Sequence, residues 1–198
     1  MTQESKLASQ FQQLYGHAPT AIARAPGRVE FIGNHTDYNG GAVLGAGIDR
    51  HVWVAVSRGL PGKFHFSSDQ KSAVETLPAG AARKQTGALA WLNYPIGVWN
   101  SLGTAGLAQP ADFDFLVHSD LPPGAGLSSS AALELAAALA FLKLAGAPAV
   151  STQRLAEIGR DAENNFVGVP CGVLDQGTSA FAQRDHLVYI DCSGPRFS

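Results

Sequence analysis

Two cysteines, one methionine and 15% charged residues in a chain of 198 leave little material for a disulfide framework or a charged, disordered tail. Cys171 and Cys192 lack the paired spacing of a zinc site or a redox motif and are read as reduced thiols. Fourteen Lys and Arg oppose sixteen Asp and Glu, for a net charge of −2. No basic run is present to neutralise successive phosphates, which argues against a nucleic-acid partner. No apolar run reaches membrane-spanning length, and Met1 is followed by the polar stretch Thr2 to Lys6 in place of an apolar leader. The expectation is a cytoplasmic monomer without a membrane partner. With 45% hydrophobic residues the chain is long enough to bury a sizeable core, and one globular domain is expected.

Periodicity supplies the elements. Leu7, Phe11 and Leu14 repeat at helical spacing before Gly16. Ala21 to Ala25 and Val29 to Ile32 read as strands flanking a Pro26-Gly27 break, and Ile48 to Val56 alternates as a half-buried strand. Lys63 to Phe66 is placed as its hairpin partner, and residues 72–86 as connecting structure. Leu92, Ile96 and Trp99 mark a helix interrupted by Pro95, and Asp112 to His118 a strand. Ser128 to Leu144, almost wholly Ala and Leu apart from Glu134 and Lys143, predicts a central buried helix. A helix capped by Ser151 or Thr152, a third helical stretch and the strand Leu187 to Asp191 follow. This order predicts an α+β domain, a mixed β-sheet with helices packed on one face.

Three segments carry chemistry. LPPGAGLSSSAALE, residues 121–134, joins a strand to the long helix; its glycines let amides converge where the helix dipole points outward. Ser128, Ser129 and Ser130 add hydroxyls for phosphate or Mg²⁺. The segment is not a Walker A loop, and by itself it fits either an anion cradle or a helix-capping turn. RAPGRVEFIGNHTDYNGG, residues 24–41, gathers Arg28, Asn34, His35, Asp37 and Asn39, short-reach groups suited to a polyhydroxylated ligand; a solvated loop with Asx-turns at Asp37 and Asn39 is the alternative, and for Asn39-Gly40 alone it is the favoured one. In AENNFVGVPCGVLDQ, residues 162–176, Glu163 closes one helix and Asp175 opens the next. Phosphoryl transfer uses such a pair, one acid for the metal and one for the attacking hydroxyl, whereas each acid alone is more often a solvated or dipole-partnering group.

Together the three segments resemble galactokinases, within the GHMP superfamily that also includes homoserine, mevalonate and phosphomevalonate kinases. APGRVEFIGNHTDYNGG is similar to the galactokinase signature around the sugar, PPGAGLSSSAALE to the phosphate loop, and CGVLDQ to the segment bearing the catalytic aspartate. The resemblance runs from about Ala21 to Cys192. It implies the ribosomal protein S5 domain 2-like fold of the GHMP N-terminal domain, and transfer of the γ-phosphoryl group of ATP to the C1 hydroxyl of galactose or a closely related sugar. Asp175 would be the catalytic carboxylate and Arg28 its partner. Asn34, His35, Asp37 and the Gly172 backbone would contact sugar, and Ser130 and Glu163 would ligate Mg²⁺. Pro123, Gly124, Ala125, Gly126, Leu127, Ser128, Ser129 and Ser130 would wrap ATP, with Trp91 stacked on adenine. A homoserine or mevalonate kinase is disfavoured by His35-Thr36-Asp37-Tyr38, and a sugar and ATP sensor by the uninterrupted GLSSSAALE.

Two features depart from the pattern. Members of the family are about twice as long, so residues 1–198 would form the N-terminal domain without the C-terminal domain that walls the cleft, and turnover by this portion alone is expected to be slow. Galactokinases also carry Glu where this chain has Asn34; Glu only accepts, whereas an amide also donates. Asn34→Glu is therefore expected to change the ratio of kcat/KM between galactose and related sugars; an unchanged ratio would show that position 34 does not set selectivity.

Overall fold

The computed structural model describes residues 2–33, 35–69, 71–79, 83–122, 124–194 and 196–197, those at 71, 72 and 196 by backbone alone. Helix α1, Gln3–Tyr15, begins where the Thr2 hydroxyl accepts from the Ser5 amide at 3.3 Å and stops at Gly16, whose φ of 81° closes the last turn. Leu7 and Phe11, one turn apart, pack against Ala55 and Leu116, and the Tyr15 hydroxyl donates to the Phe115 carbonyl at 2.9 Å. Leu14, third in the apolar stripe, stays partly exposed.

Strand β1, Ala21–Ile32, runs through Pro26 and Gly27 without a break and pairs antiparallel with β2, Ala42–Ser57. The expected interruption is a register shift between Pro26 and Arg28 instead. Proline is tolerated there because β1 pairs only with β2 and its other edge needs no ladder donor.

Strand β3, Lys63–Ser68, does not form the expected hairpin with β2. It pairs antiparallel with β4, Lys71–Pro78, and parallel with β5, Phe113–Ser119, while β5 occupies the flank of β2. Burial selects this partner: Phe64 stacks on Phe113 with ring centroids 4.3 Å apart, and Phe66 meets Phe113 edge-on at 5.3 Å. The stretch read as connecting structure thus holds a strand, whose weak alternation reflects an edge position with Val74 partly exposed.

Helix α2, Asn93–Thr104, follows a 3₁₀ turn, Gly87–Leu92, and accommodates Pro95 in its first turn, where no intrahelical donor is lost. Helix α3, Ser129–Leu144, is apolar all round and lies between the sheet and the other helices, touching β1, β2, α2, α4 and α5. Helix α4, Thr152–Asp161, is capped by the Ser151 hydroxyl, which accepts from the Arg154 amide at 3.2 Å, and runs into a π-helical turn, Ala162–Val167. Helix α5, Leu174–Phe181, and strands β6, Val188–Asp191, and β7, Arg196–Phe197, complete the chain.

Among the described residues the strands form one mixed sheet in the order β4-β3-β5-β2-β6-β7, with β1 on β2. The α+β architecture is as expected. Helices α2 to α5 share a face over the principal core, while α1 covers part of the opposite one. No described helix is long and apolar enough to cross a membrane.

The aromatic layer yields a stability test. Phe113→Ala is expected to cost about 3–5 kcal/mol, since Phe113 is fully buried against Phe64, Phe66 and Phe141. Leu139→Ala, at a partly exposed position of α3, should cost far less in the same urea titration.

Candidate active site

Arg28 lies just past the register shift in β1, where Gly27 lets the strand approach the glycine-rich loop. A methyl group at Gly27 would overlap the Leu121 side chain and approach the Leu127 carbonyl oxygen at 2.9 Å. The Arg28 amide donates to that carbonyl at 3.1 Å. Its guanidinium then reaches in two directions. Nε and one terminal nitrogen donate to Asp175 Oδ1 at 2.8 and 2.6 Å, and the other terminal nitrogen donates to the Gly126 carbonyl at 2.8 Å. The second Asp175 oxygen, Oδ2, accepts from the Ser128 hydroxyl at 2.5 Å. Asp175 stands in the first turn of α5, and the Ser179 hydroxyl one turn later donates to the Pro26 carbonyl at 2.6 Å, fastening α5 to β1.

Gly124, Gly126 and Ser128 have φ of 71°, 68° and 51°. Ser128 accepts this conformation, uncommon for a side-chain-bearing residue, at the N-cap of α3. Its hydroxyl goes to Asp175, and no side chain caps the first-turn amides of α3. Those donors and the outward dipole face the loop. Ala125 is exposed and Leu127 half-buried. Ser129 and Ser130 line a cavity of about 480 Å³ together with Trp91, Tyr94, Leu121 and Leu133. Trp91 packs against the core and meets Phe66 edge-on, so it is at once a core residue and a cavity wall.

In the loop after β1, His35 has φ of 62°, its Nδ1 lies 2.5 Å from the Tyr38 hydroxyl, and its carbonyl accepts from the Asn39 side chain at 2.8 Å. Asn39 thus serves the turn itself. Asp37 accepts from the Tyr38 amide at 3.0 Å, and its carboxylate lies against Gly172, where a methyl group would overlap it. The Gly172 loop is held by Asn164 of the π-helical turn, which accepts from the Cys171 amide at 2.7 Å and donates to the Cys171 carbonyl at 3.2 Å. Asn34 and Pro123 lie outside the described residues.

Glu163, on the π-helical turn, is almost fully buried and hydrogen-bonded to Ser130. Burial, opposed by hydrogen bonds from Gln176, Cys171 and Ser130, raises its pKa. Behind it lies a group that the sequence alone did not single out. Glu134, fully buried in α3, accepts from Gln176 Nε2 at 2.9 Å, and the same nitrogen donates to Glu163 at 2.6 Å. Burial, then the neighbouring Glu163, raises the Glu134 pKa well above the ordinary range. The signal available was a lone acid in an otherwise apolar helix. Cys171 is a free thiol whose pKa burial pushes up.

Comparison with known proteins matches the chain in two segments. The galactokinase galactose-binding signature matches residues 9–58, and the GHMP kinases N terminal domain matches residues 93–183. Together these matches make the chain similar to the N-terminal portion of galactokinase-type GHMP kinases. It is 41% identical over 203 residues to a galactokinase of Roseiflexus sp. strain RS-1, covering 97% of this chain and 48% of that protein. A Chloroflexus aurantiacus galactokinase is 39% identical over 199 residues with the same coverage. The solved structure of Lactococcus lactis galactokinase complexed with galactose superposes with a TM-score of 0.89 at 30% identity, covering all of this chain and 51% of that one. Methanococcus jannaschii mevalonate kinase, at 16% identity over 89% of this chain and 55% of its own with a TM-score of 0.74, shares the fold. The chain spans about half the length of the curated relatives it matches.

The buried acid predicts a pH dependence of stability. Because the folded-state pKa of Glu134 is raised, the stability that its neutral form supplies is complete below its ordinary value of 4.5 and is lost as pH rises through the raised value. Glu134→Gln should remove this loss, so its melting temperature relative to the parent should climb between pH 4.5 and 8 in the presence of a chelator. A difference that stays constant across that range would exclude Glu134 as the titrating group.

Proposed function

We propose that the domain binds a sugar and ATP and transfers the γ-phosphoryl group to the sugar's C1 hydroxyl, with galactose or a close relative as substrate. The observation that carries this reading is the double reach of Arg28, which ties the Asp175 carboxylate to the backbone of the glycine-rich loop. The loop, Gly124 to Ser129, offers the uncapped amides of a sixteen-residue helix to the phosphates. Trp91 and the cavity beside Ser129 and Ser130 take the adenine. His35, Asp37 and the Gly172 backbone, with Asn34, address the sugar.

In this arrangement Asp175 takes the hydrogen bond of the attacking hydroxyl and then its proton, in an orientation fixed beforehand by Arg28 and Ser128. Arg28 balances negative charge gathering on the attacking oxygen as the phosphoryl group passes through a loose transition state. The surroundings also fit a divalent cation. Ser130 and Glu163 present oxygen donors beside two further acids, Glu134 and Asp175, and one buried oxygen of Glu134 has no hydrogen-bond partner. Among the described residues no group of three or more His, Cys, Asp or Glu is arranged to hold a metal ion, so phosphate and water oxygens would complete the shell. Mg²⁺ held there would neutralise phosphate charge. Exclusion of water falls to the portion of the relatives' length that this chain does not span, and rates from the 198-residue chain should be low.

Asp175→Asn tests the assignment. ADP release with galactose and a panel of sugars should fall about 10²–10⁴-fold in kcat. Sugar affinity, measured by calorimetry, should stay near that of the parent. An unchanged rate, or loss of sugar binding together with a lowered melting temperature, would remove Asp175 from the catalytic role.

A further inference from the structure

Gln176 follows the aspartate of the site and is fully buried. Its amide nitrogen carries two hydrogens, and each meets a different carboxylate: one goes to Glu134 Oε2 at 2.9 Å and the other to Glu163 Oε2 at 2.6 Å. The helix α4 backbone closes the pocket at Gly159, where an added methyl group would stand 3.1 Å from the Gln176 side chain and 3.4 Å from that of Glu134. Glu134 otherwise has no evident reason to occupy a helix that is apolar all round. Its Oε1 is buried without a partner, a cost that a structural helix would avoid by carrying another leucine.

We propose that Glu134 is a positioning residue: by fixing the Gln176 amide it sets the carboxylate of Glu163 in the orientation in which Glu163 and Ser130 receive the divalent cation accompanying ATP. The inference rests on the kinase reading above and assigns a role to the last residue of the glycine-rich segment, to which that reading gave none. An amide bonded on one arm can rotate or flip, presenting its oxygen to Glu163 and turning the carboxylate away from Ser130. Bonded on both arms it is held more firmly, because a flip would break two hydrogen bonds at once. Outer partners of ligating carboxylates act in this way on metal sites generally. Since Gln176 and Asp175 are adjacent in the first turn of α5, the clamp also registers the cation's ligand against the catalytic carboxylate through a single peptide unit.

The test uses the 198-residue chain, with Mn²⁺ uptake in the presence of AMP-PNP followed by electron paramagnetic resonance and sugar binding followed by calorimetry. Glu134→Leu removes the acceptor and should weaken Mn²⁺ binding about 10–100-fold, the range for lost outer partners, while leaving sugar affinity unchanged. Glu134→Gln keeps an acceptor oxygen of the same reach and should bind Mn²⁺ much as the parent does. Gln176→Leu should reproduce the loss, and combining it with Glu134→Leu should add nothing further, because both act through one contact. If Glu134→Leu fails to fold, Gln176→Leu carries the same comparison. Unchanged Mn²⁺ affinity in these variants, additive losses, or Mn²⁺ and sugar affinities falling together would overturn the positioning role while leaving the kinase reading intact. A parent chain that takes up neither Mn²⁺ with AMP-PNP nor any sugar would overturn both.

Discussion

The guanidinium of Arg28 joins three elements far apart in sequence: β1, which carries it, the loop before α3, and the first turn of α5. Its hydrogen bonds are charge-assisted, and two of them converge on one oxygen of Asp175. The pair is only partly exposed, with 12% of the arginine side chain and 27% of the aspartate accessible. Without the arginine the carboxylate would lie beside Glu163 and Glu134 with no positive partner. Among the described residues Arg28 is the cation ion-paired with Asp175, and it ties that acid to the loop.

That concentration of acid is unfavourable in itself. Three carboxylates interact across a small volume, two of them buried deeply enough to resist ionisation. Ordinary cores avoid such groupings, and clusters of perturbed acids concentrate at functional sites, in keeping with the reading proposed above. The backbone around it is equally specialised. A π-helical turn presents Glu163 and Asn164, and a serine adopts a left-handed conformation at the start of α3. Regular elements supply the frame, and departures from regularity aim the side chains.

The same frame serves mevalonate kinases at 16% identity, so the fold by itself does not select a substrate. In the reading proposed above, selection would belong to the strip after β1. Thr36 locks that strip by donating to the Gly33 and Ala42 carbonyls, and Asp37 meets the Gly172 loop across it. The strip falls within the galactose-binding signature match, residues 9–58, and carries the departure at Asn34.

Elements whose pattern is local were legible in the sequence: α1 from Leu7 and Phe11, α3 from its unbroken apolar composition, and β5 from Phe113, Phe115 and Val117. Burial of a periodic apolar face depends on neighbours a few residues away, and the chain states it directly. The three chemical segments were legible too, because glycines, serines and acids in those orders have few structural uses in combination. Strand partnership was not. Whether β3 joins β2 or β5 is decided by Phe64 and Phe66 finding Phe113 some fifty residues later, a packing choice with no local sign. Nor was the role of Glu134, which in sequence is one acid in a helix and becomes meaningful only when α5 delivers Gln176 to it. Sequence alone thus determined which groups are present and which local elements carry them. Tertiary structure decided which groups meet, because an amide shared between two acids is a matter of distances that only the closed core sets.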